Sequence, residues 1–61
     1  MFQKNKNSYR TTVICINGNK IGTYTFIESS DDDWSNIASQ MFYNEFGVYP
    51  TEMRVEIREV I

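Results

Sequence analysis

Thr12-Val13-Ile14-Cys15-Ile16-Asn17-Gly18-Asn19-Lys20-Ile21-Gly22-Thr23-Tyr24-Thr25-Phe26-Ile27 is the stretch that decides the fold. Its first part, with Tyr9 to Thr11 before it, is rich in Thr, Val and Ile, which favour an extended strand. Asn17-Gly18-Asn19-Lys20 is a turn signal, because Asn and Gly tolerate positive φ. Ile21 to Ile27 then resumes strand chemistry, so the two runs predict a β-hairpin. A tight turn sets Ile16 opposite Ile21 and Val13 opposite Tyr24. Side chains alternate along a strand. One face then carries Ile14, Ile16, Ile21 and Ile27, and the other Val13, Cys15, Tyr24 and Phe26. Both faces are apolar, and one helix covers only one of them. The uncovered face implies a partner or a second copy of the chain; a different twist, leaving these residues half exposed, is the plainer alternative. Val13, Cys15, Tyr24 and Phe26 are assigned to that dimer or partner surface.

Working outward, Ser29-Ser30-Asp31-Asp32-Asp33-Trp34 starts a helix. Ser30 or Asp31 is expected to cap it, and the aspartates suit the positive end of its dipole. Trp34, Ile37, Ala38, Met41, Phe42 and Phe46 recur at three- and four-residue steps, which draws one apolar stripe. Gly47 is the expected stop and Pro50 prevents continuation. The expected length is about 15 residues. From Thr51 to Ile61 the chain alternates: Met53, Val55 and Ile57 face one way, and Glu52, Arg54, Glu56 and Arg58 the other. The fold class is therefore α+β, in the order β-β-α-β, with one helix packed on one face of a three-stranded antiparallel sheet. The expected strand order is 2-1-3. Residues 1–8 read as a flexible lead and residues 9–61 as a single small domain.

A chain of 61 residues has room for one domain, whose lone core is marginal. Small domains compensate with disulfides, metal or oligomerisation. Cys15 has no partner for an internal disulfide, and a chain without histidine and with one thiol offers no zinc site. Self-association is the remaining route. Nine aromatic residues and a hydrophobic content of 41% argue against disorder. The single cysteine fits a reducing compartment. Residues 1–10 lack the apolar run of a signal peptide, and no stretch is long enough to span a membrane. A cytoplasmic location is expected. Lys4, Lys6 and Arg10 make the head basic, whereas the eight acids all lie from Glu28 onward. An acidic body binds phosphate backbones poorly, which argues against direct nucleic-acid binding.

Catalysis finds no support in the residues. Asp31, Asp32 and Asp33 are consecutive, so their carboxyls diverge rather than converge on one bond. They also lack the spaced carbonyl ligands of a calcium loop. Ser29, Ser30 and Ser35 have no histidine to activate them. Cys15, mid-strand among Val and Ile, reads as packing rather than as a reactive thiol. No catalytic residue, metal or cofactor is expected. Trp34 either packs in the core or anchors an interface. Tyr43 and Tyr49 are weaker anchors. Glu28, Asp31, Asp32, Asp33 and Glu45 form a line of negative charge that either imitates DNA phosphates to a DNA-binding cleft or is simply a solvated face.

Three segments, Thr12-Val13-Ile14-Cys15-Ile16, Asp33-Trp34 and Met53-Arg54-Val55-Glu56-Ile57-Arg58-Glu59-Val60-Ile61, give the span from Tyr9 to Ile61 a pattern that resembles the small phage-encoded uracil-DNA glycosylase inhibitors. The resemblance implies a β-β-α-β homodimer in the host cytoplasm that occludes the DNA-binding groove of a host enzyme by DNA mimicry. It matches Trp34 to the family's aromatic and Glu28 with Asp33 to its acids. The chain departs from that pattern in a longer helix and in the loop Gly47-Val48-Tyr49-Pro50. The expected function is thus a small acidic inhibitor, with Glu28, Asp31, Asp32, Asp33 and Trp34 as partner-binding residues. Other classes remain open: an anti-CRISPR-like blocker of a host immune nuclease, a nucleic-acid-binding module using Lys4, Lys6 and Arg10, or a purely structural homodimer.

Overall fold

The structure, a computed structural model, describes residues 7–29 and 32–61. β1 (Ser8–Asn17) and β2 (Lys20–Ser29) form the hairpin, α1 (Trp34–Phe46) crosses over, and β3 (Glu52–Val60) returns beside β1. The sheet is antiparallel throughout, in the order β2-β1-β3. The hairpin register is the expected one, with Ile16 opposite Ile21 and Val13 opposite Tyr24. Gly18 opens the turn at φ 61°, and no described non-glycine residue has positive φ. A positive angle at the first central residue alone is the pattern of a type II′ turn, whose twist matches that of the strands. Ser8 belongs to β1, pairing with Ser29 and accepting a backbone hydrogen bond from Ile61, so the strand begins inside the expected lead. Residues 1–6 of that lead lie outside the described residues.

The helix has 13 residues and ends at Gly47, whose φ of 77° and N–H to the Tyr43 carbonyl close the last turn. Its cap is Asp33, not Ser30 or Asp31, both of which lie outside the described residues. The Asp33 side chain accepts from the Ser35 N–H, which satisfies one of the orphan donors of the first turn.

Along the helix, Ala38 and Phe42 are buried against Val13 and Cys15 of β1. Tyr24, Phe26, Trp34, Phe46, Met53 and Val55 pack around them, with the Phe42 and Phe46 rings 4.6 Å apart. The covered face of the sheet is therefore that of Val13, Cys15, Tyr24 and Phe26. These residues form the core rather than the dimer or partner surface expected from the hairpin alone. The third strand explains the choice. Met53 and Val55 pair with Cys15 and Val13, whereas Glu52 and Arg54 pair with Ile16 and Ile14. Burying the face of Ile14 and Ile16 would also bury two charges, which is costly.

The alternation of β3 does not run through to its end. The register against β1 shifts between Thr12 and Val13, with Glu56 as the extra residue. Such a bulge turns every later side chain to the opposite face. Ile57 pairs with Thr12 on the open face and is 51% exposed, while Arg58 pairs with Thr11 on the helix face. This corrects the expectation that Met53, Val55 and Ile57 share one face and Glu52, Arg54, Glu56 and Arg58 the other.

Candidate interaction site

Between β2 and the helix, the side chains of Asp32 and Asp33 bond to the backbone. Asp32 donates its N–H to the Ser29 carbonyl at 3.1 Å, and its Oδ2 accepts from the Ser29 N–H at 3.0 Å. Asp33 Oδ1 accepts from the Ser35 N–H at 3.1 Å and from its hydroxyl at 2.7 Å. The Ser35 hydroxyl bond, with backbone bonds from Ser35 and Asn36 besides, holds the Asp33 carboxyl below its ordinary value of 3.8. Asp32 and Asp33 are both exposed. They are thus two carboxylates with fixed positions, turned to water beside the half-buried Trp34 indole. That indole packs on the core, so Trp34 serves the fold and borders the acidic corner at once. Asp31, also expected in this group, lies outside the described residues.

Glu28 does not lie on the outer acidic line that its charge suggests, for it is 2% exposed. Its Oε2 accepts from the Thr11 hydroxyl at 2.7 Å and from Arg58 Nε at 3.2 Å, while Oε1 is buried with no partner. Arg58 also lies over the Tyr9 ring, 4.1 Å from its centre. A carboxylate held in this way cannot stand in for a phosphate in another protein's groove. Strand alternation carried the signal, since Glu28 falls on the same side as Tyr24 and Phe26. Nothing in the sequence placed Arg58 beside it, because the bulge did so.

Glu45 accepts a hydrogen bond from the Tyr24 hydroxyl. Burial, and then that bond to Glu45, push the Tyr24 phenol well above its ordinary value of 10.0. Tyr43 and Tyr49 stack at 4.5 Å and are exposed. The Tyr49 carbonyl accepts from Asn17 at 2.8 Å, so the loop after the helix is tied to the hairpin turn. Cys15 is fully buried and its thiol is pushed up by burial, consistent with packing. Among the described residues no group of acids and thiols could hold a metal ion, and no helix is long and apolar enough to cross a membrane.

The open face of the sheet is the other exposed feature. Ile21 and Ile27 are 61% and 57% exposed there, with Ile14, Ile16 and Ile57 beside them. Thr12 and Thr25 share a hydroxyl hydrogen bond of 2.8 Å between these isoleucines. Charges border them: Arg10 pairs with Glu59 at 3.1 Å and Arg54 with Glu52 at 3.6 Å. Arg10 is thereby tied to the sheet rather than held out as part of a basic arm. Lys4 and Lys6 lie outside the described residues. No family model matches this chain, and no curated protein or solved structure matches it.

Proposed function

We propose that this chain is a small protein-binding inhibitor that occupies the DNA-binding groove of a DNA-acting enzyme, most specifically uracil-DNA glycosylase. The supporting observation is the acidic corner at the start of the helix. Asp32 and Asp33 are fixed by Ser29 and Ser35, and they stand in water beside the half-buried Trp34. Fixed carboxylates present phosphate-like charge without the entropy of ordering flexible side chains on binding. They also steer a basic groove onto the chain. Glu28 takes no part in this contact, and the open isoleucine face supplies the apolar surface instead. The inhibitor acts as a homodimer and performs no chemistry of its own.

The test is excision of uracil from a labelled oligonucleotide by bacterial and human uracil-DNA glycosylases, with the chain added in stoichiometric amounts. Inhibition that weakens when Asp32→Asn and Asp33→Asn are combined supports the reading. Asparagine keeps both backbone hydrogen bonds and removes only charge. Full excision in the presence of folded protein discards this enzyme as the target.

A further inference from the structure

We infer that the free edge of β2 is the homodimer contact, where β2 of one copy pairs antiparallel with β2 of a second around a two-fold axis at Tyr24. The sheet has two outer strands, and they are not alike. β3 carries a bulge and charges along its length, both of which blunt a sheet edge. β2 runs ten residues in unbroken register and carries no charged side chain between Ile21 and Ile27. Among the described residues no strand pairs with its outer side.

Its outward backbone groups can be identified. Ladder bonds alternate along an antiparallel strand. At Ser29 both the N–H and the carbonyl bond to Asp32, which lies outside the β1 ladder. By alternation Ile27, Thr25, Thr23 and Ile21 also turn their N–H and C=O groups outward. Antiparallel pairing centred on Tyr24 sets Thr23 opposite Thr25 and Ile21 opposite Ile27 of the other copy, joining outward groups to outward groups.

Charge fits the same arrangement. The turn end of β2 carries Lys20, and its far end leads into Asp32 and Asp33. Antiparallel pairing brings the Lys20 end of each copy to the acidic end of the other. Two further consequences follow from the geometry. The open isoleucine face becomes continuous across six strands, since Ile21 of one copy abuts Ile27 of the next. Because α1 lies over β1 and β2, the two helices flank the axis on one face. Both acidic corners are then presented by one assembly. This role in inhibition rests on the function proposed above; the edge pairing itself does not.

The experiment is sedimentation equilibrium of the full chain over a range of concentrations, with circular dichroism to confirm folding. The unaltered chain is expected to be a dimer. Combining Thr23→Lys with Thr25→Lys opposes like charges across the axis and raises the dimer Kd by more than about tenfold. Combining Thr23→Lys with Thr25→Glu opposes unlike charges in the same register and restores dimerisation. If the doubly lysine-substituted chain fails to fold, Thr23→Pro replaces it. That change removes an outward N–H, leaves the β1 ladder intact, and is expected to give a folded monomer. A monomeric unaltered chain, a dimer that survives the lysines or the proline, or a Lys and Glu combination that stays monomeric each overturns the pairing. A monomer that inhibits uracil excision would overturn this interface and the homodimer while leaving the enzyme target standing, and a dimer that does not inhibit would overturn the enzyme target alone.

Discussion

Arg58 on β3 reaches across the central strand to Glu28 on β2, its Nε 3.2 Å from Oε2, with the Thr11 hydroxyl bonded to the same oxygen at 2.7 Å. Three side chains from three strands thus clasp the sheet on its covered side. Arg58 is partly open to water, whereas the Glu28 side chain is wholly buried, so the carboxylate depends on the arginine more than the reverse.

Removing one partner leaves a buried charge with less compensation. Arg58→Met is expected to destabilise the fold by about 1–3 kcal/mol in urea unfolding. Adding Glu28→Leu to it should recover much of that loss, because an apolar pair needs no compensation. Additive losses in the double variant would show that the two residues do not act together.

Gly22 sits beneath the Tyr24 ring, and a Cβ placed there would overlap the phenol hydroxyl. Gly22→Ala is therefore expected to displace Tyr24 from Glu45 and cost about 1–3 kcal/mol. Alkaline spectrophotometric titration checks the cause. In the parent chain Tyr24 ionises above its ordinary value of 10.0, and in the variant it returns toward it. An unchanged titration would mean that the ring had not moved.

Asp33 gives the fold an acid dependence of known sign. Its folded value lies below the unfolded 3.8, so its stabilisation is present above 3.8 and is lost as pH falls through the lower folded value. Asp33→Asn keeps the cap and removes the titration. Thermal melts followed from neutral pH down through the carboxylate range should show a shallower fall for the variant. Parallel curves would remove the cap charge from the account.

Burial raises the Cys15 thiol above 9.0, so its contribution is complete below that value and is lost as pH rises through the folded one. The same burial blocks reagents. The thiol is expected to react with a disulfide reagent only as fast as the chain opens, and at the full rate of an exposed thiol in denaturant. Rapid reaction in native buffer would place Cys15 outside the core.

Much of this architecture was legible in local chemistry. The Asn17-Gly18-Asn19-Lys20 turn set the hairpin register, the Trp34-to-Phe46 stripe set the helix, and Gly47 ended it. Each depends on neighbours within a few residues, where turn geometry and side-chain period act directly. The helix cap fell at Asp33, nearer the stripe than expected, because the cap is chosen by which side chain reaches the first-turn N–H groups.

The sequence by itself determined the β-β-α-β order, the strand order and the two-faced hairpin. Only the tertiary structure decided which face the helix covers, and it is the face of Val13, Cys15, Tyr24 and Phe26 that the hairpin alone had assigned to a partner. That choice depends on a third strand more than thirty-five residues away from its partner, whose Met53 and Val55 side with Val13 and Cys15. It also decided the fate of the acids. One extra residue at Glu56 reversed the end of β3 and carried Arg58 to the covered face, where it meets the Glu28 carboxylate that alternation along β2 turns inward. A bulge leaves the composition and period of a strand unchanged until it is paired, so its effect exists only between strands and not within one.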